Sequence, residues 1–322
     1  MRVVFMGTPD FSVPCLRALV AAGHTVSLVV TQPDRPKGRG LTLEPSPVKR
    51  AALELGLPVF QPEKPNRAEN VETVRAAAPE VLVVVAYGAI LKEALLTLAP
   101  RGAVNVHASL LPKYRGMSPI HRALWDGEPE SGVTTMQMDA GVDTGAMLLK
   151  AAIPIDPNES CGELHDRLAA LGADLLKRTL DGLAHGTVTA QPQSGAASYA
   201  GRIEKEHGLI DWSLPAVAVH NHARAVTPWP GATTRLAGEA LVVKRTRVAD
   251  LKGLASEAPF AGAPGTVLQV SGPALRVACG AGALDLLELR PAGRPTMSGG
   301  DFARGRRLSP GARFDGGADG SR

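Results

Sequence analysis

Cysteine is scarce in this chain of 322 residues: there are three, Cys15, Cys161 and Cys279. They are far apart and odd in number, which argues against a disulfide framework and favours a reducing cytoplasm. Long apolar runs are also missing. None approaches the roughly 20 residues of a membrane span, so no membrane partner is expected. The opening Met1-Arg2 leads directly into Val3-Val4-Phe5-Met6-Gly7. That is too short for a secretory leader and reads as a buried first strand ending at a glycine. No internal repeat is present. Neither sign of charge dominates, with 35 basic and 31 acidic residues giving +4. The surplus sits in residues 208–322, while 1–207 are close to neutral. A basic back part suits docking to something anionic, and equally a solvated basic surface.

What is present is ordinary globular composition, 44% apolar and 20% charged, which excludes wholesale disorder. The length suggests about two domains. Across the first 155 residues short apolar runs alternate with helical patterns. Val3–Met6, Val26–Val30, Val81–Ala86 and Ala103–His107 read as strands; Val13–Ala22 and Pro47–Leu55 read as helices stopped by Gly23 and Gly56. This alternation predicts a parallel sheet covered on both faces. Ligands of such sheets bind beyond the carboxyl ends of the strands, here Tyr87-Gly88 and Asn105-Val106-His107. Ser160 and Glu163 form a capping box ahead of a helix to about Leu183. Residues 186–206 lack apolar periodicity and read as a linker. A helix near Pro215–Val226 precedes short runs at Leu241–Arg247, Thr266–Val270, Leu275–Ala278 and Leu284–Leu289. Their spacing predicts a small antiparallel barrel or sandwich, with an OB-type barrel one form of it.

Several chemistries lack their residues. Gly7-Thr8-Pro9-Asp10-Phe11 carries one of the three glycines of a dinucleotide fingerprint, and Pro9 removes an amide, so a nicotinamide site is disfavoured. Cys161 and His165 have helical spacing but no second ligand pair, so no metal is expected. Asn105 and His107, two apart on a strand, project to the same side. An amide donor beside an imidazole suits a carbonyl whose oxygen becomes negative during attack. Taken alone, an Asn-x-His reads first as a histidine satisfied by local hydrogen bonds. The loop Asp139-Ala140-Gly141-Val142-Asp143-Thr144-Gly145 reads as a turn with solvated carboxylates, or as the source of a carboxylate that orients the imidazole. Arg35-Pro36-Lys37-Gly38-Arg39-Gly40 is a basic loop that either meets phosphate or lies in solvent.

These segments together resemble the methionyl-tRNA formyltransferase family. The matching stretches include Gly7–Phe11, Thr31-Gln32-Pro33-Asp34-Arg35-Pro36, Pro45-Ser46-Pro47-Val48-Lys49, Val83–Gly88, Asn105–Pro112 with Tyr114-Arg115-Gly116, and Met136–Asp139 through Thr144-Gly145. Asp211-Trp212-Ser213 and Pro228-Trp229-Pro230-Gly231 continue the match in the back part. The resemblance implies an α/β chain in which a Rossmann-like, doubly wound parallel sheet of the formyltransferase fold is followed by an OB-like β-barrel. The expected division is a catalytic domain over 1–186, a linker over 187–206, a tRNA-binding domain over 207–314 and a disordered tail over 315–322.

The implied reaction moves formyl from 10-formyltetrahydrofolate to the α-amino group of methionine on initiator methionyl-tRNA. By the same resemblance Asn105, His107 and Asp143 are catalytic. Tyr87, Gly88, Ile90, Leu91, Ser109, Leu110, Leu111 and Pro112 would line the folate site, and Arg35, Lys37 and Arg39 would meet the tRNA. A cytoplasmic monomer is expected. Leu41-Thr42-Leu43-Glu44 departs from the family's lysine-rich continuation of the loop, which predicts weaker phosphate attraction there. Rival readings remain. They are a folate formyltransferase acting on an amino sugar or purine intermediate, a hydrolase of formyltetrahydrofolate, and a non-catalytic RNA-binding protein.

Overall fold

A computed structural model describes residues 1–37, 42–250 and 262–315. They group into two compact units. The first comprises Met1–Pro119, Ser131–Ile153 and His165–Ala200; the second takes Ile120–Glu130, Pro154–Leu164 and the chain from Gly201. Residues 187–200 thus cluster with the first unit. Among the described residues no helix is long and apolar enough to cross a membrane.

The first unit begins with β1 (Arg2–Gly7), α1 (Val13–Ala21) and β2 (Thr25–Val30). A short hairpin, β3 (Arg35–Lys37) and β4 (Thr42–Glu44), leads to α2 (Pro47–Glu54), β5 (Val59–Phe60) and α3 (Ala68–Ala76). Then come β6 (Val81–Val85), α4 (Glu93–Leu96), β7 (Ala103–His107) and β8 (Arg115–Gly116); α5 (Pro119–Trp125) follows, and from Ile120 it belongs to the second unit. The run closes with β9 (Glu130–Gln137), β10 (Met147–Pro154), α6 (Cys161–His185), whose first turn up to Leu164 belongs to the second unit, and β11 (Tyr199–Ala200). Local chemistry explains several starts. Ser46 Oγ accepts from the Lys49 amide at 3.0 Å, with Pro47 in the first turn of α2. Ser160 and Glu163 cap α6 reciprocally, at 2.8 and 3.4 Å.

The main sheet has the order β10-β9-β7-β6-β1-β2-β5. Five of its seven strands, β7, β6, β1, β2 and β5, are parallel, as the alternating pattern predicts. Beyond them β9 runs antiparallel to β7, so this edge is mixed rather than parallel. The apolar pattern missed β10 because alternate residues there face out, Lys150 among them. Both faces of the central strands are buried: every residue of β6 is covered. On one face Val4, Met6, Leu82, Val84, Val71 and Leu95 pack with Tyr87, whose ring is 2% exposed. The Tyr87 hydroxyl finds no partner among the described residues, and burial pushes its pKa up to about 12. A hydroxyl buried without a hydrogen bond costs about 1–3 kcal/mol. Tyr87→Phe is therefore expected to stabilise the chain by about 1 kcal/mol; equal or lower stability in urea titration would refute this.

The second unit carries α7 (Ala216–Ala225) and β12 (Ala232–Leu236), then β13 (Glu239–Val248), β14 (Val267–Ser271) and β15 (Ala274–Ala278). It ends with β16 (Ala283–Pro291), β17 (Met297–Ser298), α8 (Gly299–Gly305) and β18 (Phe314–Asp315). The strands form an OB-like antiparallel sheet in the order β14-β15-β16-β13-β12-β18, with β17 on β16. Its two ends meet: Val267 N donates to Ala312 O at 2.7 Å, and Phe314 N to Gly265 O at 2.9 Å. That closure encloses Trp212, Val219, Leu275, Leu284, Leu286 and Phe314. The expected tail begins inside this structure, since Asp315 pairs with Arg235; residues 316–322 lie outside the described residues. Cys15, Cys161 and Cys279 are free and buried, and burial pushes each thiol up to about 12, which makes them inert as nucleophiles.

Candidate active site

Strand β7 sets the site. It is paired on both sides, with Val84 of β6 opposite Asn105 and Thr134 of β9 opposite His107. Val106 faces α6 beside Gly172, so the period of the strand turns Asn105 and His107 to the other face. Both are nearly covered, at 9% and 6% exposure. The His107 Nε2 atom lies 2.9 Å from the backbone oxygen of Tyr114. A carbonyl only accepts, so Nε2 carries a hydrogen and donates it.

The loop between β9 and β10 turns back to place Asp143 against this pair. Its Oδ2 is 3.5 Å from His107 Nδ1 and accepts from the Gly116 amide at 2.8 Å. Its Oδ1 accepts from Asn105 Nδ2 at 3.4 Å, a long contact that leaves the amide free to reach another acceptor. The three residues predicted to be catalytic are thus brought together. A proton on Nδ1 would be shared with the carboxylate, and the Asn105 donor stands beside it.

Backbone geometry explains the loop's residue types. Asp143 has φ 53°, a left-handed conformation costly for a residue with a Cβ. At Gly145 a Cβ would stand 1.7 Å from Gln137 O, so only glycine allows the loop to close on β9. Within the loop Asp139 Oδ1 accepts from the Gly141 amide at 3.0 Å and from the Thr144 hydroxyl at 2.7 Å. Gln193 holds the loop from outside. Its Nε2 donates to Asp143 O at 2.8 Å and Gly145 O at 2.9 Å. The sequence pattern gave no sign of Gln193, which lies in the stretch read as a linker. The Gly116 amide was equally invisible, because a backbone donor leaves no mark on residue type.

The residues expected to line a folate site follow the neighbouring strands β6 and β7. They divide by exposure. Gly88 and Ile90 are exposed, Ile90 at 77%, and Leu110 and Pro112 are half-buried. Tyr87, Leu91, Ser109 and Leu111 are covered. Ser109 Oγ donates to Lys113 O at 2.6 Å, and Thr134 Oγ1 bridges Ser109 O at 2.7 Å and Leu111 N at 3.1 Å. The Tyr87 carbonyl accepts from Thr8 Oγ1 at 2.8 Å, tying the turn after β1 to the turn after β6.

The first residues of the basic loop form β3, which pairs with β4 so that Arg35 stands opposite Glu44 and Lys37 opposite Thr42. Arg35 is exposed; Arg39 lies outside the described residues.

Known proteins resemble this chain in sequence and in fold. The Formyl transferase family matches residues 1–180, and the Formyl transferase, C-terminal domain family matches 202–307. A methionyl-tRNA formyltransferase of Pelobacter propionicus is 51% identical over 317 residues, covering 98% of this chain and 97% of that one. One of Heliobacterium modesticaldum is 52% identical, covering 98% and 100%. In fold, an N-formyltransferase from Helicobacter canadensis, solved with folinic acid and dTDP-3-aminofucose, superposes with a TM-score of 0.64. It shares 16% identity and covers 88% of this chain and 98% of its own. With both domains matched in order and half of all residues shared along nearly the full length of such relatives, this chain belongs to the methionyl-tRNA formyltransferase family.

Proposed function

We propose that this chain transfers the formyl group of 10-formyltetrahydrofolate to the α-amino group of methionine on initiator methionyl-tRNA. The observation that carries the chemistry is the meeting of Asn105, His107 and Asp143 at the carboxyl end of β7. The methionine nitrogen attacks the formyl carbon. A carbon–nitrogen bond forms and the carbonyl π pair moves to oxygen. Asn105 Nδ2 stabilises that oxygen by donating to it, with the His107 ring beside it as a source of positive charge. Collapse restores the carbonyl and breaks the bond to the folate nitrogen. One proton leaves the attacking nitrogen and one arrives at the leaving nitrogen. Asp143 orients His107 and takes part in that exchange.

In this reading folate binds against exposed Ile90 and half-buried Leu110 and Pro112, since flat ligands bind against apolar walls with a few fixed polar groups. The tRNA reading rests on Arg35, Lys37 and Arg39 and on the basic character of residues 208–322. In this reading residues 1–186 carry the catalysis and 207–314 the tRNA contact, in a cytoplasmic monomer.

The test is formyl transfer from 10-formyltetrahydrofolate to charged initiator tRNA, charged elongator methionyl-tRNA and free methionine in parallel. Formylation of the initiator alone is expected. Tetrahydrofolate accumulating without any formylated acceptor would make the chain a hydrolase. Binding of tRNA with neither reaction would leave an RNA-binding protein.

A further inference from the structure

We infer that Gln193 is the positioning residue that holds Asp143 in its working place, an inference that rests on the function proposed above. Its carboxamide uses all of its hydrogen-bonding capacity on the site. The two Nε2 hydrogens go to the Asp143 and Gly145 carbonyls, at 2.8 and 2.9 Å. Oε1 accepts from Arg115 Nε at 3.1 Å and Nη2 at 2.7 Å.

These partners are the two supports of the Asp143 carboxylate. One is the residue's own backbone, held at φ 53°, a conformation that persists only where its surroundings enforce it. The other is the Arg115-Gly116 strand, whose Gly116 amide donates to Asp143 Oδ2. Gln193 joins the two through a single planar group. It is itself anchored on both sides. Upstream, Gln191 and Met147 exchange backbone hydrogen bonds at 2.8 Å in each direction. Downstream, Ser198 O accepts from Arg115 N at 2.8 Å, Ser198 Oγ accepts from Tyr114 N at 2.9 Å, and β11 pairs with β8. The segment 191–200 therefore works as a strap across the catalytic loop. Lining up the carboxylate with His107 is its consequence for the reaction.

Two variants of similar size remove the bridge differently. Gln193→Met has no polar group. Gln193→Glu keeps the acceptor for Arg115 but turns two donor bonds into repulsion with two carbonyls. Both are expected to lower kcat about 10- to 100-fold, the scale of a roughly 1 Å misplacement, while KM for methionyl-tRNA changes less than about threefold. The decisive arm repeats Gln193→Met in an Asp143→Asn background. There the second substitution should cost less than about twofold, because residues acting through one group are not additive. An unchanged kcat in Gln193→Met, a loss carried by KM, or the same fold-loss with and without Asp143 would each overturn the inference. The functional reading fails separately: in that case the unsubstituted chain formylates no acceptor.

Discussion

Replacing Asn105 by alanine is expected to lower kcat about 100- to 1,000-fold with little change in KM for either substrate, the usual cost of one oxyanion donor. The amide is suited to this by what it does not do. Its contact with Asp143 is long, 3.4 Å, so the donor is placed but not consumed. Strand β7 would survive the change, because Val84 and Met136 pair with residue 105 through the backbone on both sides. Asp143 keeps the Gly116 amide. Activity loss therefore reports on the transition state and not on folding. Steady-state kinetics with an unfolding curve on the same preparation decide the matter. A loss under about tenfold would remove Asn105 from the oxyanion role. A full loss accompanied by a lowered unfolding midpoint would assign it a structural one.

The largest stability effect is expected far from that chemistry, at Asp285. It lies on β16 between two strands, opposite Arg276 of β15 and Arg247 of β13. Its side chain is 2% exposed. Arg276 grips it with two bonds, Nε to Oδ1 at 2.7 Å and Nη2 to Oδ2 at 3.2 Å, and Arg247 adds a third at 3.3 Å. Burial opposes the charge on Asp285, but the hydrogen bonds and charge of the two arginines outweigh it and hold the carboxyl below its ordinary 3.8.

Asp285→Ala leaves the Arg276 guanidinium unpaired in a partly buried place and should cost about 3 kcal/mol. Arg247→Ala, at an exposed partner, should cost under about 1 kcal/mol. Because the folded carboxyl titrates lower than the unfolded one, its contribution is complete above about pH 4 and fades as pH falls through the folded value. Denaturant titrations at neutral pH should therefore separate wild type from Asp285→Ala, and acid should bring the two curves together. A variant as stable as wild type at neutral pH would show that the triad gives nothing net.

Most of the first unit's sheet was legible because its central strands are covered on both faces and so read as unbroken apolar runs ended by glycine. Val81–Val85 is the plainest case. Asn105 and His107 were legible for a related reason, since the period of a strand puts them on one face. From pattern Asp143 was legible only as one of two carboxylates in a glycine loop, with a solvated turn as the other reading. It reaches them only because β9 returns antiparallel on β7, and that long-range pairing leaves no local trace. Gln193 lay beyond reach for the same reason: its four hydrogen bonds go to three residues in two other segments of the chain. The β3–β4 hairpin was missed because its strands are three residues each, too short for a period to appear.

The closure of the second unit's sheet near residue 314 has a consequence for synthesis. The first unit has every strand of its main sheet by residue 154. The barrel cannot join its ends until the segment Gly311–Phe314 has left the ribosome. While it waits, β14 and β12 present unpaired backbone, the kind of edge that recruits strands from other nascent chains. Crowding of polysomes and access of chaperones thus bear on the yield of the second unit.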